Sequence, residues 1–246
     1  MLETTRPTLD RSYIGKEYRS SPQIASAESM IQYARATNET NPRYYDSESP
    51  GGLIPSPLYS VVFIPEVLNQ FVDDAEEMNL DILRVVHAEQ EIWWRGRIHP
   101  GDRIISTMKI VSIAPRGVNE MLDLHIQITR EDVILVDMDY RLMLRGKKKA
   151  EEKKSTSFSH NPTQSKKLAQ GTILVAQDQG LRYAEASGDH NPIHVSDVIA
   201  RSVGLPGAIL HGLCTMAFAS QVIVDELLDC DPSRLQYMKV RFTKPV

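Results

Sequence analysis

The chain has 246 residues, of which 41% are hydrophobic and 24% charged, and its formal net charge is −4. This is ordinary globular composition, and the acidic balance argues against a nucleic-acid partner, which would call for a basic face. Two cysteines, Cys214 and Cys230, cannot build a disulfide framework or a CxxC metal site. The N-terminus lacks an apolar signal segment and no run of 18 apolar residues occurs, so a cytoplasmic protein without a membrane span is expected.

An internal repeat organises the chain. Residues 33–42 read YARATNETNP and residues 183–192 read YAEASGDHNP, so the two segments are offset by 150 residues. Each segment is followed by a Gly-Leu pair and a proline, and then by an apolar stretch. We therefore expect two fused copies of one fold, with a first domain at 1–146, a Lys-rich linker at 147–168 and a second domain at 169–246.

The first copy is predicted to combine two helices with an antiparallel sheet. A short helix is expected from Ala27 to Thr37, and a longer buried helix from about Pro57 to Glu77, where the sequence is apolar in most directions. Apolar and polar residues alternate over 122–128 and 136–142, which is typical of half-buried strands, and a third strand is expected from Ile104 to Ile113.

The second copy is predicted to carry a strand at Thr172–Val175 and then a helix capped by Asp178 and ending near Gly188. A short helix with Asp197 as its N-cap follows. The apolar helix from Ile209 to Leu228 should be enclosed by sheet. All of these expectations rest on local sequence patterns.

The two copies differ in length. The first continues through three strands to about Leu144, whereas the second ends at Val246, so by analogy roughly 45 residues of sheet are absent from the second copy. We expect a truncated sequence with poor stability. The alternatives are an edge left open, or a homodimer or partner chain that completes the sheet.

The segment from Tyr183 to Gly212 holds the candidate site. Asp189 and His194 straddle Asn191-Pro192, and together they favour function. Each alone has a structural alternative: an aspartate that stabilises its own turn, or a histidine with a satisfied structural role. Asn191 is expected to fix the turn. For His211 two roles are equally expected, positioning of the loop and contact with the substrate. Tyr183 should be core, and His190 should face solvent.

These residues carry a resemblance to a known family. The segments SGDHNPIHVSD at Ser187–Asp197 and GLPGAILHG at Gly204–Gly212 resemble the MaoC-like dehydratases, the (R)-specific enoyl-CoA hydratases. The resemblance implies an α+β protein of tandem hotdog folds, each an antiparallel sheet around a long central helix. The first copy would be degenerate and the second incomplete.

The resemblance also implies roles for individual residues. Asp189 and His194 would activate a water that adds reversibly to a trans-2-enoyl thioester of CoA or an acyl carrier, with no metal or cofactor. Positioned acid and base groups contribute roughly 10²–10⁴-fold to such a step. The remaining candidates for oxyanion and substrate contacts are Gly212, through its N–H, with Asn191, His211 and Ser220.

The first copy departs from the motif. Glu39 stands in the place of Asp189 and Tyr44 in that of His194, so this copy is predicted to be inactive. Its implied role is to make room for bulky or long acyl groups.

Two other functions stay open, because a fold alone does not assign chemistry. A hotdog thioesterase would place its catalytic acid on the central helix, where Asp225 and Glu226 lie close to the far end. A non-catalytic acyl-binding subunit is the third candidate.

Overall fold

The computed structural model describes residues 8–48, 52–146 and 168–246, so the predicted linker lies outside the described residues except for Leu168. The helices are α1 (Ala27–Ala36), α2 (Pro65–Asp73), α3 (Gln179–Ser187), α4 (Asp197–Ser202) and α5 (Gly212–Leu227). The strands are β1 (Glu17–Arg19), β2 (Gln23–Ile24), β3 (Val85–Trp94), β4 (Arg103–Arg116), β5 (Asn119–Arg130), β6 (Val133–Leu144) and β7 (Tyr237–Arg241).

The strands form one antiparallel sheet in the order β1-β4-β5-β6-β3-β7, with β2 beside β4. The predicted alternation is confirmed on β5, where Leu124, Ile126 and Ile128 are buried and His125 and Gln127 between them are only half-buried. On β6 it is wrong at Asp137, which is buried and pairs with Arg95. One face of the sheet therefore packs on the helices. The chain has the predicted α+β architecture.

The two halves of the chain share this sheet. β7, from the second half, pairs with β3, and Met238 lies opposite Ile92 near the centre of the pairing. α1 also packs on α3, where the hydroxyls of Tyr33 and Tyr183 lie 3.4 Å apart. Because these two tyrosines are repeat equivalents, corresponding positions meet across the boundary between the copies.

The single helix predicted for Pro57–Glu77 is wrong. Residues Pro57–Phe63 form a 3-10 helix, and α2 begins separately at Pro65. Proline has no N–H to bond to the preceding turn and its ring clashes there, so it is tolerated at the first helical position instead.

The strand predicted at Thr172–Val175 is also wrong. The segment pairs with no strand among the described residues, and Leu174 is 84% exposed. Its contact with the first half is a hydrogen bond in which the Asn38 side-chain amide donates to the Leu174 carbonyl. A segment whose residues favour an extended backbone forms a strand only when a neighbouring strand edge is available for hydrogen bonding.

Two predicted helix caps are corrected. Asp178 precedes α3, but its carboxylate pairs with Arg182 one turn later instead of accepting a capping bond. Ser196, not Asp197, caps α4, and the Asp197 carboxylate accepts from the Ala208 N–H at 2.7 Å. In both cases a nearby donor competes successfully for the aspartate.

Helix α5 begins three residues later than predicted, at Gly212, and the sheet does not enclose it. Among the described residues the second copy contributes one strand, so Ala219 and Leu227 stay exposed. α5 packs on the 57–63 segment of the first copy. Cys214 is buried, whereas Cys230 is exposed just beyond the helix. No helix of the described residues has the length and apolarity to cross a membrane.

Candidate active site

The end of α3 directs the chain into the candidate site. Gly188 terminates the helix in the left-handed region at φ +76°. Asp189 Oδ1 accepts from the Asn191 N–H at 3.1 Å, and Asn191 in turn caps the 3-10 turn 192–194 by accepting from Ile193 N–H. Asn191 thus holds the turn, as predicted. Asp189 uses one oxygen structurally, and its Oδ2 has no hydrogen-bond partner among the described residues.

His194 is fixed in one tautomer by the main chain. Its Nδ1 lies 2.8 Å from the carbonyl oxygen of Ile209. A carbonyl can only accept, so Nδ1 carries the hydrogen and Nε2 presents a lone pair. Burial lowers the pKa of His194, and the Asp189 charge only partly opposes this effect. The imidazole is therefore neutral near pH 7.

His211 packs against the Asp189–His194 pair. It is buried, its ring stacks on His194 with centroids 3.9 Å apart, and its Nε2 donates to the Asp189 carbonyl at 2.9 Å. Burial and the neighbouring His194 lower the pKa of His211 to about 4. Its Nδ1 is buried without a partner. The His211 ring therefore contacts both His194 and the main chain of Asp189.

Side-chain atoms of Asp189, His194 and His211 lie within 4.8 Å of one another, which raises the question of a metal. The two imidazoles are stacked at 28°, and because each donates one N–H to a carbonyl, each has one nitrogen lone pair left. Zinc needs lone pairs that converge tetrahedrally at about 2.0–2.1 Å. Nearly parallel rings do not provide that convergence.

Gly212 opens α5, so its N–H has no partner within the helix, and none is found among the other described residues. The Phe242 ring lies 3.2 Å from the position that a Cβ on Gly212 would occupy, which explains the glycine. Ser220 is two turns further along and fully buried, where its hydroxyl donates to Ala217 O. The structure shows no contact between Ser220 and the Asp189–His194 pair.

Sequence analysis missed two aromatic residues from the first copy. His87 on β3 stacks on Tyr140 of β6 at 4.7 Å and meets the Phe242 ring edge-on at 5.1 Å. Burial lowers the pKa of His87 to about 4, and burial together with the Asp189 charge raises the pKa of Tyr140. Both therefore lie beside the site. No local signal could have found them, because they reach it only through the shared sheet.

The equivalent turn in the first copy has the same backbone and different chemistry. Asn41 caps the 3-10 turn 42–44 as Asn191 caps its own. Burial, with a contribution from Asp225, raises the pKa of Glu39 to about 8, so this carboxyl is largely protonated at neutral pH. Tyr44 is buried with no partner for its hydroxyl. Pro57 begins the following helical segment and has no N–H to offer.

Two cavities lie away from the Asp189 turn. One, of about 260 Å³, is lined by residues such as Ile54, Trp94 and Leu235. The other, of about 430 Å³, lies beside Asp225 and Gln221. Neither is lined by Asp189 or His194, which are themselves half-buried.

Comparison with family models identifies the chain. The FAS1-like dehydratase domain region matches residues 12–138, more than half of the chain, and the MaoC-like domain matches residues 158–246. The chain belongs to the MaoC-like dehydratase family. The match covers both copies, and the motif residues of the candidate site lie in the MaoC-like segment.

Relatives of this MaoC-like protein include "Probable enoyl-CoA hydratase 2" of Dictyostelium discoideum, 28% identical over 202 residues that cover 77% of this chain and 66% of that protein. "Peroxisomal multifunctional enzyme type 2" of Mus musculus is 37% identical over 101 residues, 41% of this chain. The chain spans less than two thirds of both relatives, and only 13% of the mouse protein.

Solved structures share the fold. A "MaoC-like dehydratase" superposes with a TM-score of 0.76 at 17% identity, over 95% of this chain and 83% of the other. A MaoC-like dehydratase from Phytophthora capsici gives 0.73 at 21% identity, over 96% and 84%. The sheet and helices described above are thus the hotdog arrangement of this family.

Proposed function

We propose that the chain is an (R)-specific enoyl-CoA hydratase that also runs in reverse as a 3-hydroxyacyl thioester dehydratase. One observation carries this proposal: a carboxylate oxygen of Asp189 and an imidazole nitrogen of His194 lie within 4.8 Å of each other, and His194 is held in the tautomer whose Nε2 can accept a proton. The family, and the name of the Dictyostelium relative, support the same reaction class.

Hydration adds the hydroxyl group of one water to C3 of the enoyl thioester and a proton to C2. His194 Nε2 and the free Asp189 oxygen hold the water; its oxygen bonds to C3 of the enoyl thioester as its proton passes to the pair. The pair then delivers a proton to C2. Positioned general acid and base groups contribute roughly 10²–10⁴-fold to such steps.

Negative charge develops on the thioester oxygen while C3 is attacked. In the proposed mechanism the Gly212 N–H donates to this oxygen, and the N-terminal end of α5 favours negative charge there. Removal of one oxyanion donor typically lowers kcat roughly 10²–10³-fold. In this mechanism His211 holds the Asp189 main chain and the His194 ring in position. Ser220 acts indirectly, through the packing of α5.

The first copy has a supporting part in this proposal. Its degenerate turn carries no equivalent base, while its sheet brings His87 and Tyr140 beside the Asp189 turn. We propose that the division between a degenerate copy at 1–146 and a hydratase copy at 169–246 is functional, and that the first copy accommodates the acyl group of a CoA or carrier thioester.

Incubation with crotonyl-CoA tests the reaction, with enoyl absorbance and free CoA thiol followed in the same sample. We expect absorbance to fall without thiol release, and the product to be (R)-3-hydroxybutyryl-CoA by chiral analysis. Stoichiometric thiol release would instead establish a thioesterase. Binding of the thioester with neither change would establish a non-catalytic subunit.

A further inference from the structure

The 260 Å³ cavity of the first copy has apolar walls. They are formed by Ile54, Pro57, Trp94, Ile98, Val136 and Leu235. Leu235 comes from the turn before β7, so both copies build the cavity. A partly open, largely apolar cleft of this size, just below the roughly 300–1,000 Å³ typical of small-molecule sites, suits a short hydrocarbon chain.

The cavity corresponds in position to the Asp189 site. Pro57 begins its helical segment as Gly212 begins α5. The aromatic contacts also correspond: the Trp94 indole donates to Pro57 O at 2.7 Å, and the Phe242 ring packs on Gly212. The turns that precede the two paired strands are equivalent in chain order, since Pro232–Arg234 precedes β7 as Ile82–Arg84 precedes β3. The first copy therefore keeps a slot without the acid–base pair.

Two polar features at this cavity lack partners. The Ser60 hydroxyl, on a side chain that is 98% buried, has no hydrogen-bond partner. Arg97, at the exposed edge, forms no ion pair with any described residue, whereas its neighbour Arg95 pairs with Asp137. A buried unsatisfied hydroxyl is unfavourable unless a ligand or water completes it.

We propose that this cavity is a second, non-catalytic binding site for an anionic acyl compound. The acyl chain lies along the apolar walls, an oxygen of its carboxylate or thioester accepts from the Ser60 hydroxyl, and the negative charge of the ligand faces Arg97. Two sources share this chemistry, a free fatty-acid anion and an acyl-CoA, whose phosphates carry the charge. The inference does not require the proposed hydratase activity.

Trp94 provides a direct reporter, because the chain has only two tryptophans. Trp93→Phe leaves the cavity indole as the sole tryptophan signal. Titration of this variant with hexanoyl-CoA and with hexanoate should give a saturable change in fluorescence with at least one of them, and the tighter ligand identifies the source. No saturable change with either, or an equal change with CoA alone, would overturn the proposal.

Variants separate this site from the hydratase site. In the Trp93→Phe background, Arg97→Glu should weaken binding about fivefold, whereas Arg103→Glu, an exposed arginine away from the cavity, should leave it unchanged. Ser60→Leu should fill the cavity and remove the signal. Crotonyl-CoA hydration should be the same in Arg97→Glu as in wild type. Equal affinities in the two arginine variants would refute the assignment.

Discussion

At the scale of single residues, the decisive feature is the hydrogen bond from His194 to the Ile209 carbonyl. It leaves Nε2 as the free nitrogen, and burial keeps the ring neutral. The sequence predicted that Asp189 and His194 would converge but could not predict the tautomer, because residue 209 meets the ring only in the folded loop. The sequence left two roles open for His211; in the structure its ring stacks on His194, which agrees with the positioning role proposed above.

The lowered pKa of His194 makes a prediction for the pH dependence of hydration. In the proposed mechanism the neutral ring accepts the proton, so activity should be lost when the ring is protonated. Because the folded-state pKa lies below the ordinary 6.5, kcat/KM should be flat near pH 7 and fall only below pH 6.5. A pH–rate profile on crotonyl-CoA measures this, and an acid limb centred above 6.5 would contradict it.

Glu39 makes a prediction for stability. Its folded-state pKa of about 8 lies above the ordinary 4.5, so the stabilisation linked to its protonation is complete below pH 4.5 and is lost as pH rises through 8. Glu39→Gln should therefore raise the unfolding free energy relative to wild type by about 2–4 kcal/mol at pH 8 and by little at pH 4.5. Urea melts at both pH values measure the difference.

Glu185→Gln is the control for that experiment, since this glutamate side chain is 80% exposed on α3. Its effect should be small and the same at both pH values. If Glu39→Gln behaves in the same way as Glu185→Gln, then Glu39 is charged in the folded protein.

At the scale of elements, the end of α3 sets the position of Asp189. Gly188 has φ +76°, and a Cβ there would approach Pro65 Cγ at 2.8 Å. Gly188→Ala should therefore combine backbone strain with overpacking and destabilise by about 2–4 kcal/mol, with reduced kcat because Asp189 is the next residue.

Gly204→Ala is the matched control, because Gly204 has φ +82° and open space around its Cα. It should lose only the strain contribution, about 1–2 kcal/mol. Thermal melts and hydration rates of both variants test the pair. Equal losses of stability would show that the Pro65 contact is unimportant.

Elements were predicted well where periodicity was long and poorly where tertiary context decides. The alternation in β5 and the helices α1, α3 and α4 follow from the sequence. The Pro57–Glu77 helix failed because Pro65 restarts it, and the Thr172–Val175 strand failed because no edge accepts it. Both errors come from treating a segment without its neighbours.

At the scale of the whole molecule, β7 joins the second copy to the sheet of the first. Met238 is buried opposite Ile92, so Met238→Asp should lower the unfolding free energy by about 3 kcal/mol or more. Thr243→Asp, at an exposed position, should have little effect.

Because the copies share one core, tryptophan fluorescence and far-UV circular dichroism should report one coincident transition. Two separate transitions would contradict the shared core.

The repeat offset of 150 residues was visible in the sequence, and it located both turns. The sequence could not show that His87, Tyr140 and Phe242 lie beside one site, because they are brought together by the β3–β7 pairing across the copies. Local patterns specify the two turns, and long-range pairing specifies what surrounds them.

The most direct test of the account compares repeat-equivalent substitutions. Asp189→Asn and Glu39→Gln each remove one carboxyl from the same position of the two copies. On crotonyl-CoA, Asp189→Asn should lower kcat roughly 10²–10⁴-fold, whereas Glu39→Gln should retain the wild-type rate. Full activity in Asp189→Asn, or an equal loss in both variants, would contradict the assignment of hydration to the second copy.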